Sequence, residues 1–164
     1  MDLSRLPNSV KDFEKLITEG RIYVDKTDLI YSLAINNSQP IFLSRPRRFG
    51  KSLLVSTFEC LFKQKHELFK GLKIENLWKD QNTYKVLHLD FSSMATSSLE
   101  AFLKAFNNAL DVFIHENNVE LIRDPDNIPS EKFNSICDLL EKNSLVLLID
   151  EYDSPLTSFM DDDK

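Results

Sequence analysis

The segment that most restricts this chain is Pro40–Ser52, a short apolar run (PIFLS, 40–44) leading straight into a polar loop, RPRRFGKS (45–52). Leu54, Phe58, Leu61 and Phe62 follow on one helical stripe, which predicts a helix over residues 51–63. A buried strand, a polar loop and a helix in that order place backbone N–H groups and a helix N-terminus around one point. That arrangement suits an anion. Gly50-Lys51-Ser52 ends the G-x-x-x-x-G-K-[ST] phosphate-loop pattern, in which the lysine reaches outer phosphates and the hydroxyl serves Mg²⁺. Arg45 stands where that pattern has its first glycine, and with Pro46 it predicts a stiffer entry to the loop. Phe49 and the cations Arg47 and Arg48 complete the candidate set.

The remaining segments read as alternating strands and helices. Val10, Phe13, Leu16 and Ile17 have helical spacing, with Gly20 as a stop. RIYV (21–24) is a strand candidate, and Thr27 is the expected cap of a short helix that ends at Asn36-Asn37. YKVLHLDF (84–91) is the second strand of the sheet. Ser97 and Glu100 form a capping-box pattern before a stripe of Leu99, Phe102, Leu103, Phe106, Leu110, Phe113 and Ile114. Residues 123–129 read as a loop, and Ser130 as the cap of a helix burying Phe133, Ile136, Cys137 and Leu140. SLVLLID (144–150) is the third strand. Together these predict an α/β fold, a doubly wound parallel sheet.

The third strand ends at Asp150-Glu151, the pattern in which an aspartate beside Mg²⁺ is followed by a glutamate that polarises the attacking water. An acidic loop after a buried strand is the plainer reading of that pair alone. Two motifs in this order, each after a strand, favour the catalytic one. Asp153 reads as a solvated loop carboxylate, and Asp90 faces a ligand crevice if the sheet is parallel, though a turn role is commoner.

Bulk properties exclude several classes. The chain has 164 residues, 20 Lys+Arg against 26 Asp+Glu and a net charge of -6, without the basic footprint of a nucleic-acid binder. Nucleic-acid contact is expected only indirectly. Cys60 and Cys137 lie in apolar helical patterns and are expected to be buried, reduced thiols, and the three histidines show no ligand spacing. No apolar run has signal-peptide or membrane-span length, which gives the expectation of a cytoplasmic protein with no membrane contact.

DFEKL, YVDKT, FLSRPRRFGKSLL, ELFKGL, VLHLDFS and LVLLIDEYDSPL occur in the order seen in the AAA-ATPase-like proteins that usually carry a C-terminal PD-(D/E)XK nuclease-like region. The chain resembles that family over nearly its whole length, and an arginine before PRRFGKS is usual there. The resemblance implies a P-loop NTPase domain of the additional-strand class. Residues 1–39 form its lead-in and 40–164 its core, and the domain is expected to be incomplete at the C-terminus. It also implies ATP and Mg²⁺ as ligands, Lys51 and Ser52 in the nucleotide loop, Ser52 and Asp150 at the metal and Glu151 as the catalytic acid. A homo-oligomer and an attached nuclease-like domain are the implied partners. A nucleotide switch with little turnover is the alternative, and the chain alone is expected to hydrolyse ATP poorly. Tyr23, Asp25 and Lys26 are candidates for a place near the nucleotide base, against a plainer reading as a strand end and helix cap.

Overall fold

The computed structural model describes residues 6–7, 10–35, 40–46, 48–94, 98–121 and 128–155, and the chain divides into two compact units, 1–83 and 84–164. The first unit is helical. Helix α1 (Phe13–Thr18) is capped by the Asp12 carboxylate, which accepts from Lys15 N–H. Helices α2 (Thr27–Ile35) and α3 (Lys51–Phe62) follow, then two 3₁₀ turns at His66–Phe69 and Lys73–Asn76. Asn36-Asn37, the expected end of α2, lie outside the described residues.

Aromatic rings build the core of this unit. Phe13 stacks on Phe69 with centroids 5.0 Å apart and meets Tyr23 edge-on at 5.2 Å, while Phe62 meets Trp78 edge-on at 5.6 Å. Leu16, Ile30, Leu61 and Ile74 of the same unit are buried as well. The apolar positions read as a stripe on α3 therefore face inward at its C-terminal half, where Cys60, Leu61 and Phe62 are buried.

Residues 40–44 are not a strand, and neither are 21–24. Neither segment belongs to the sheet of the described residues, and Ile41 and Phe42 are 54% and 68% exposed. An apolar run becomes a strand only by pairing its N–H and C=O groups with a neighbour, so composition alone did not decide this segment.

The second unit holds the sheet. Strands β1 (Lys85–Asp90) and β2 (Leu145–Asp150) pair in parallel, in register from Lys85 opposite Leu145 to Asp90 opposite Asp150. Two parallel strands stand in place of the three expected among the described residues. Helix α4 (Leu99–Glu116) packs on β1, and α5 (Pro129–Leu139) packs on α4. Leu87, Leu89, Met94, Leu110, Phe113 and Ile136 form the shared core. A buried lysine, Lys132 on α5, donates to the Asp111 carboxylate of α4 at 2.7 Å, which supplies the partner a buried ammonium requires.

Three local expectations are corrected here. Ser98 caps α4, accepting from Ala101 N–H at 3.1 Å, whereas Ser97 lies outside the described residues. Helix α5 begins one residue before Ser130, with Pro129 as its first residue, a position where proline loses no hydrogen bond. Cys137 is exposed, on the solvent side of α5, while Cys60 is buried as expected, its thiol pushed up to about 11 by burial.

Candidate functional site

The loop of the first unit is shaped by two left-handed residues. Arg48 has φ +67° and Gly50 φ +76° with ψ +20°, and Gly50 is the N-cap of α3. A Cβ at Gly50 would meet nothing within 4 Å, so the glycine is needed for its backbone angle and not for space. Among the described residues five non-glycines have positive φ: Gln64 and Asn118 just after helices, Asn143 in the turn before β2, and Arg48 and Glu151. The first three are ordinary helix ends and turns. The last two fall in the two segments that sequence singled out, each at a backbone cost of about 1–2 kcal/mol.

Helix α3 starts without a side-chain cap. Its first intrahelical bond runs from Leu54 N–H to the Gly50 carbonyl at 2.9 Å, so the N–H groups of Lys51, Ser52 and Leu53 have no intrahelical acceptor. Three other helices have a side chain at this end: Asp12 serves α1, Asp25 serves α2 and Ser98 serves α4, while α5 also starts without a side-chain cap and Pro129 removes one of its donors. Lys51 Nζ donates to the Arg45 carbonyl at 2.8 Å, which folds the ammonium across the loop mouth. Arg45, Pro46, Arg48 and Phe49 are exposed, and Lys51 and Ser52 are half-buried; Arg47 lies outside the described residues. Uncapped N–H donors, a helix dipole and an ammonium at one loop fit a phosphate group.

The second unit brings its carboxylates to one end of its sheet. Parallel register sets Asp90 and Asp150 opposite each other at the carboxyl ends of β1 and β2, where ligands of open α/β sheets bind. Asp150 is 7% exposed, and its Oδ1 accepts from Glu151 N–H at 3.0 Å. Glu151, at φ +50°, turns the chain sharply, and its carbonyl accepts from Ser154 N–H at 2.9 Å. Asp90 is a turn residue as well: its Oδ1 accepts from Ser92 N–H at 2.9 Å and Ser92 Oγ at 2.7 Å. Asp153 is exposed. No group of three or more His, Cys, Asp or Glu suited to a metal occurs among the described residues. Mg²⁺ takes few protein oxygens and fills its octahedron with phosphate and water, so one buried carboxylate is enough for a protein to contribute from this end of the sheet.

Asp25 and Thr27 of the YVDKT cluster tie the start of α2 to the turn at Lys73–Asn76. Asp25 Oδ1 accepts from Thr27 N–H at 2.9 Å and Thr27 Oγ1 at 2.7 Å, and its Oδ2 accepts from Lys73 N–H at 2.9 Å. Thr27 Oγ1 in turn accepts from Ile74 N–H at 3.0 Å. Asp25, and not Thr27, is therefore the cap of α2. Burial raises the Asp25 carboxyl, but the Thr27 and Lys73 hydrogen bonds and the Lys73 charge outweigh it and hold the group below the usual carboxylate range. Tyr23 is pushed up by burial, against its hydrogen bond to Thr57. Lys26 is exposed.

Replacing Asp25 by alanine is expected to cost about 1–2 kcal/mol of stability at neutral pH, the loss of a cap and a cross-link together. Because the folded carboxyl lies low, its contribution is complete above the ordinary carboxylate pKa and fades as pH falls through the folded value. Urea denaturation at pH 7 and at decreasing pH checks this: the gap between parent and variant should narrow in acid.

Sequence reading passed over Ser56 and Thr57, two polar residues within an apolar helix. Thr57 is fully buried and donates to the Leu53 carbonyl at 2.7 Å, and Ser56 Oγ accepts from Phe13 N–H at 2.9 Å. Hydroxyls inside an otherwise apolar stripe were the available signal, since buried polar groups must find partners.

A family model described as "Predicted AAA-ATPase", the AAA-ATPase-like family, matches residues 7–164. An uncharacterised protein from the vnfD 5′ region of Azotobacter chroococcum mcd 1 is 32% identical over 170 residues, covering 95% of this chain and 30% of the relative. The chain thus spans under a third of that relative's length. No solved structure matches it. No helix among the described residues is long and apolar enough to cross a membrane.

Proposed function

Because the chain belongs to the AAA-ATPase-like family of predicted AAA-ATPases, we propose that it is the ATP-binding and ATP-hydrolysing part of a longer protein. The observation that carries this reading is the uncapped start of α3 behind a loop whose own lysine lies across its mouth. In this reading the N–H groups of Lys51, Ser52 and Leu53 receive phosphate oxygens, and Lys51 exchanges the Arg45 carbonyl for the outer phosphates. Exchange of a neutral carbonyl for an anion strengthens the lysine's hydrogen bond. Arg45, Arg47 and Arg48 raise the positive potential at the loop, while Pro46 and Phe49 shape its backbone.

Ser52 and Asp150 are the proposed protein ligands of the magnesium that arrives with ATP. The ion neutralises charge that builds on the phosphates. Glu151 is the proposed base: its carboxylate orients a water and takes its proton as the bond to the outer phosphorus forms and the bridging oxygen leaves with ADP. What the hydrolysis drives, including a nuclease-like effector or a ring of copies, belongs to the rest of the longer protein.

The test is displacement of a fluorescent ATP analogue from the full-length protein, with magnesium and with a chelator. ATP and ADP should displace the probe at least about tenfold better than AMP, because AMP lacks the phosphates that the loop and lysine contact. Equal displacement by AMP would reject the loop as the site.

A further inference from the structure

Ser56 lies four residues beyond Ser52 on α3, one helical turn and about 6 Å along the same face. Its hydroxyl accepts the N–H of Phe13, the first residue of α1, across 43 positions of sequence. Phe13 itself does not move freely. Its ring is fully buried between Tyr23 and Phe69, and the preceding residue, Asp12, caps the helix through Lys15 N–H. The next residue along α3, Thr57, is fully buried, its hydroxyl donating to the Leu53 carbonyl of the same helix. Neighbouring helical positions point about 100° apart, so the bond at Ser56 and the burial of Thr57 together constrain the roll of the helix as well as its distance from the core.

We propose that Ser56 is a positioning residue, which holds α3 at the roll that presents the Ser52 hydroxyl to the cation of a bound nucleotide. The proposal rests on the reading of residues 45–52 as a Mg-nucleotide loop and adds how that loop's metal ligand is aimed. A packed apolar stripe sets a helix's distance more strictly than its roll, because apolar contact has no direction, whereas a hydrogen bond to a fixed N–H has one. Roll matters most to the metal. Mg²⁺ requires near-ideal octahedral geometry, while Ca²⁺ accepts a looser and larger shell. The phosphate contacts of Lys51, at the end of a flexible stem, tolerate the same small rotation.

The proposal therefore separates the metals. In the full-length protein, Ser56→Ala is expected to weaken Mg-ATP binding about fivefold, while Ca-ATP binding stays within about twofold of the parent. Ser56→Thr, which keeps the hydroxyl, should bind both like the parent. Ser56→Cys, similar in size but a poorer acceptor, should repeat the alanine pattern and serves if the alanine variant folds badly. Titration calorimetry with each metal gives the affinities, and thermal melts without nucleotide report general stability. An equal loss with both metals would make Ser56 a stabilising residue only, and unchanged Mg-ATP binding would remove the role altogether. Lys51→Ala is the control for the underlying reading. If it leaves binding by either metal complex intact, the loop assignment fails; if it weakens both and Ser56→Ala weakens neither, only the positioning role fails.

Discussion

Lys51→Ala is expected to weaken Mg-ATP binding by tenfold or more, about 1.4 kcal/mol or above, without loss of fold stability. The size follows from the bond removed, since hydrogen bonds between an ammonium and an anion exceed neutral ones roughly twofold. The selectivity follows from position. Lys51 is the first residue of α3, and its side chain donates to the Arg45 carbonyl at 2.8 Å, on the surface of the loop. Alanine is a better helix former and removes a cation from the positive end of the helix dipole, so apo stability should hold or rise slightly. Titration at two ionic strengths adds a check. Part of the lysine's contribution is a screened charge interaction, so the difference between parent and variant should shrink as salt rises. Superimposable titration curves for the two proteins would remove Lys51 from the site.

The legible parts of this fold were those with a local cause. Stripes at helical spacing predicted α3 and α4, and two apolar runs ending in aspartate predicted β1 and β2 to within a residue or two. The start of α3 at Gly50-Lys51 was legible because a glycine suits the left-handed residue that precedes the helix. What failed depended on partners distant in sequence. The PIFLS run had the right composition for a strand and no ladder to join among the described residues. The YVDKT cluster was ambiguous because its partners, Lys73 and Ile74, lie 48 and 47 positions from Asp25 and Thr27. Alternate residues of that segment turn inward, with Asp25 half-buried and Thr27 fully buried while Val24 and Lys26 are exposed, a pattern its polarity concealed. Helix caps slipped by one residue at α4, from Ser97 to Ser98, and by two at α5, from Ser130 to Ile128, since adjacent serines cap equally well and a proline suits the first turn of a helix.

Glu151→Gln is expected to leave Mg-ATP binding within about twofold of the parent and to lower phosphate release a hundredfold or more. Glutamine keeps the length and shape of the side chain, and the local backbone does not depend on the carboxylate. The turn is closed by the Glu151 carbonyl, which accepts from Ser154 N–H, and Asp150 Oδ1 accepts the Glu151 N–H; glutamine supplies both backbone groups unchanged. The side chain is half-buried, so removing its charge strands no buried partner. The amide still hydrogen-bonds a water but cannot take its proton at neutral pH, and a positioned base contributes about 10²–10⁴ in rate. Asp150→Asn is the contrasting variant. Asp150 is 7% exposed, and as a metal ligand its loss should weaken the magnesium dependence of binding as well as turnover. Single-turnover phosphate release and calorimetric titration on the same preparations of full-length protein separate the two effects. Undiminished release by Glu151→Gln would exclude it as the base, and the left-handed turn at φ +50° would then serve only to end β2. A loss of binding equal to the loss of rate would instead place the Glu151 carboxylate in the ground-state complex, because a group that acts only as the water is activated leaves substrate affinity untouched.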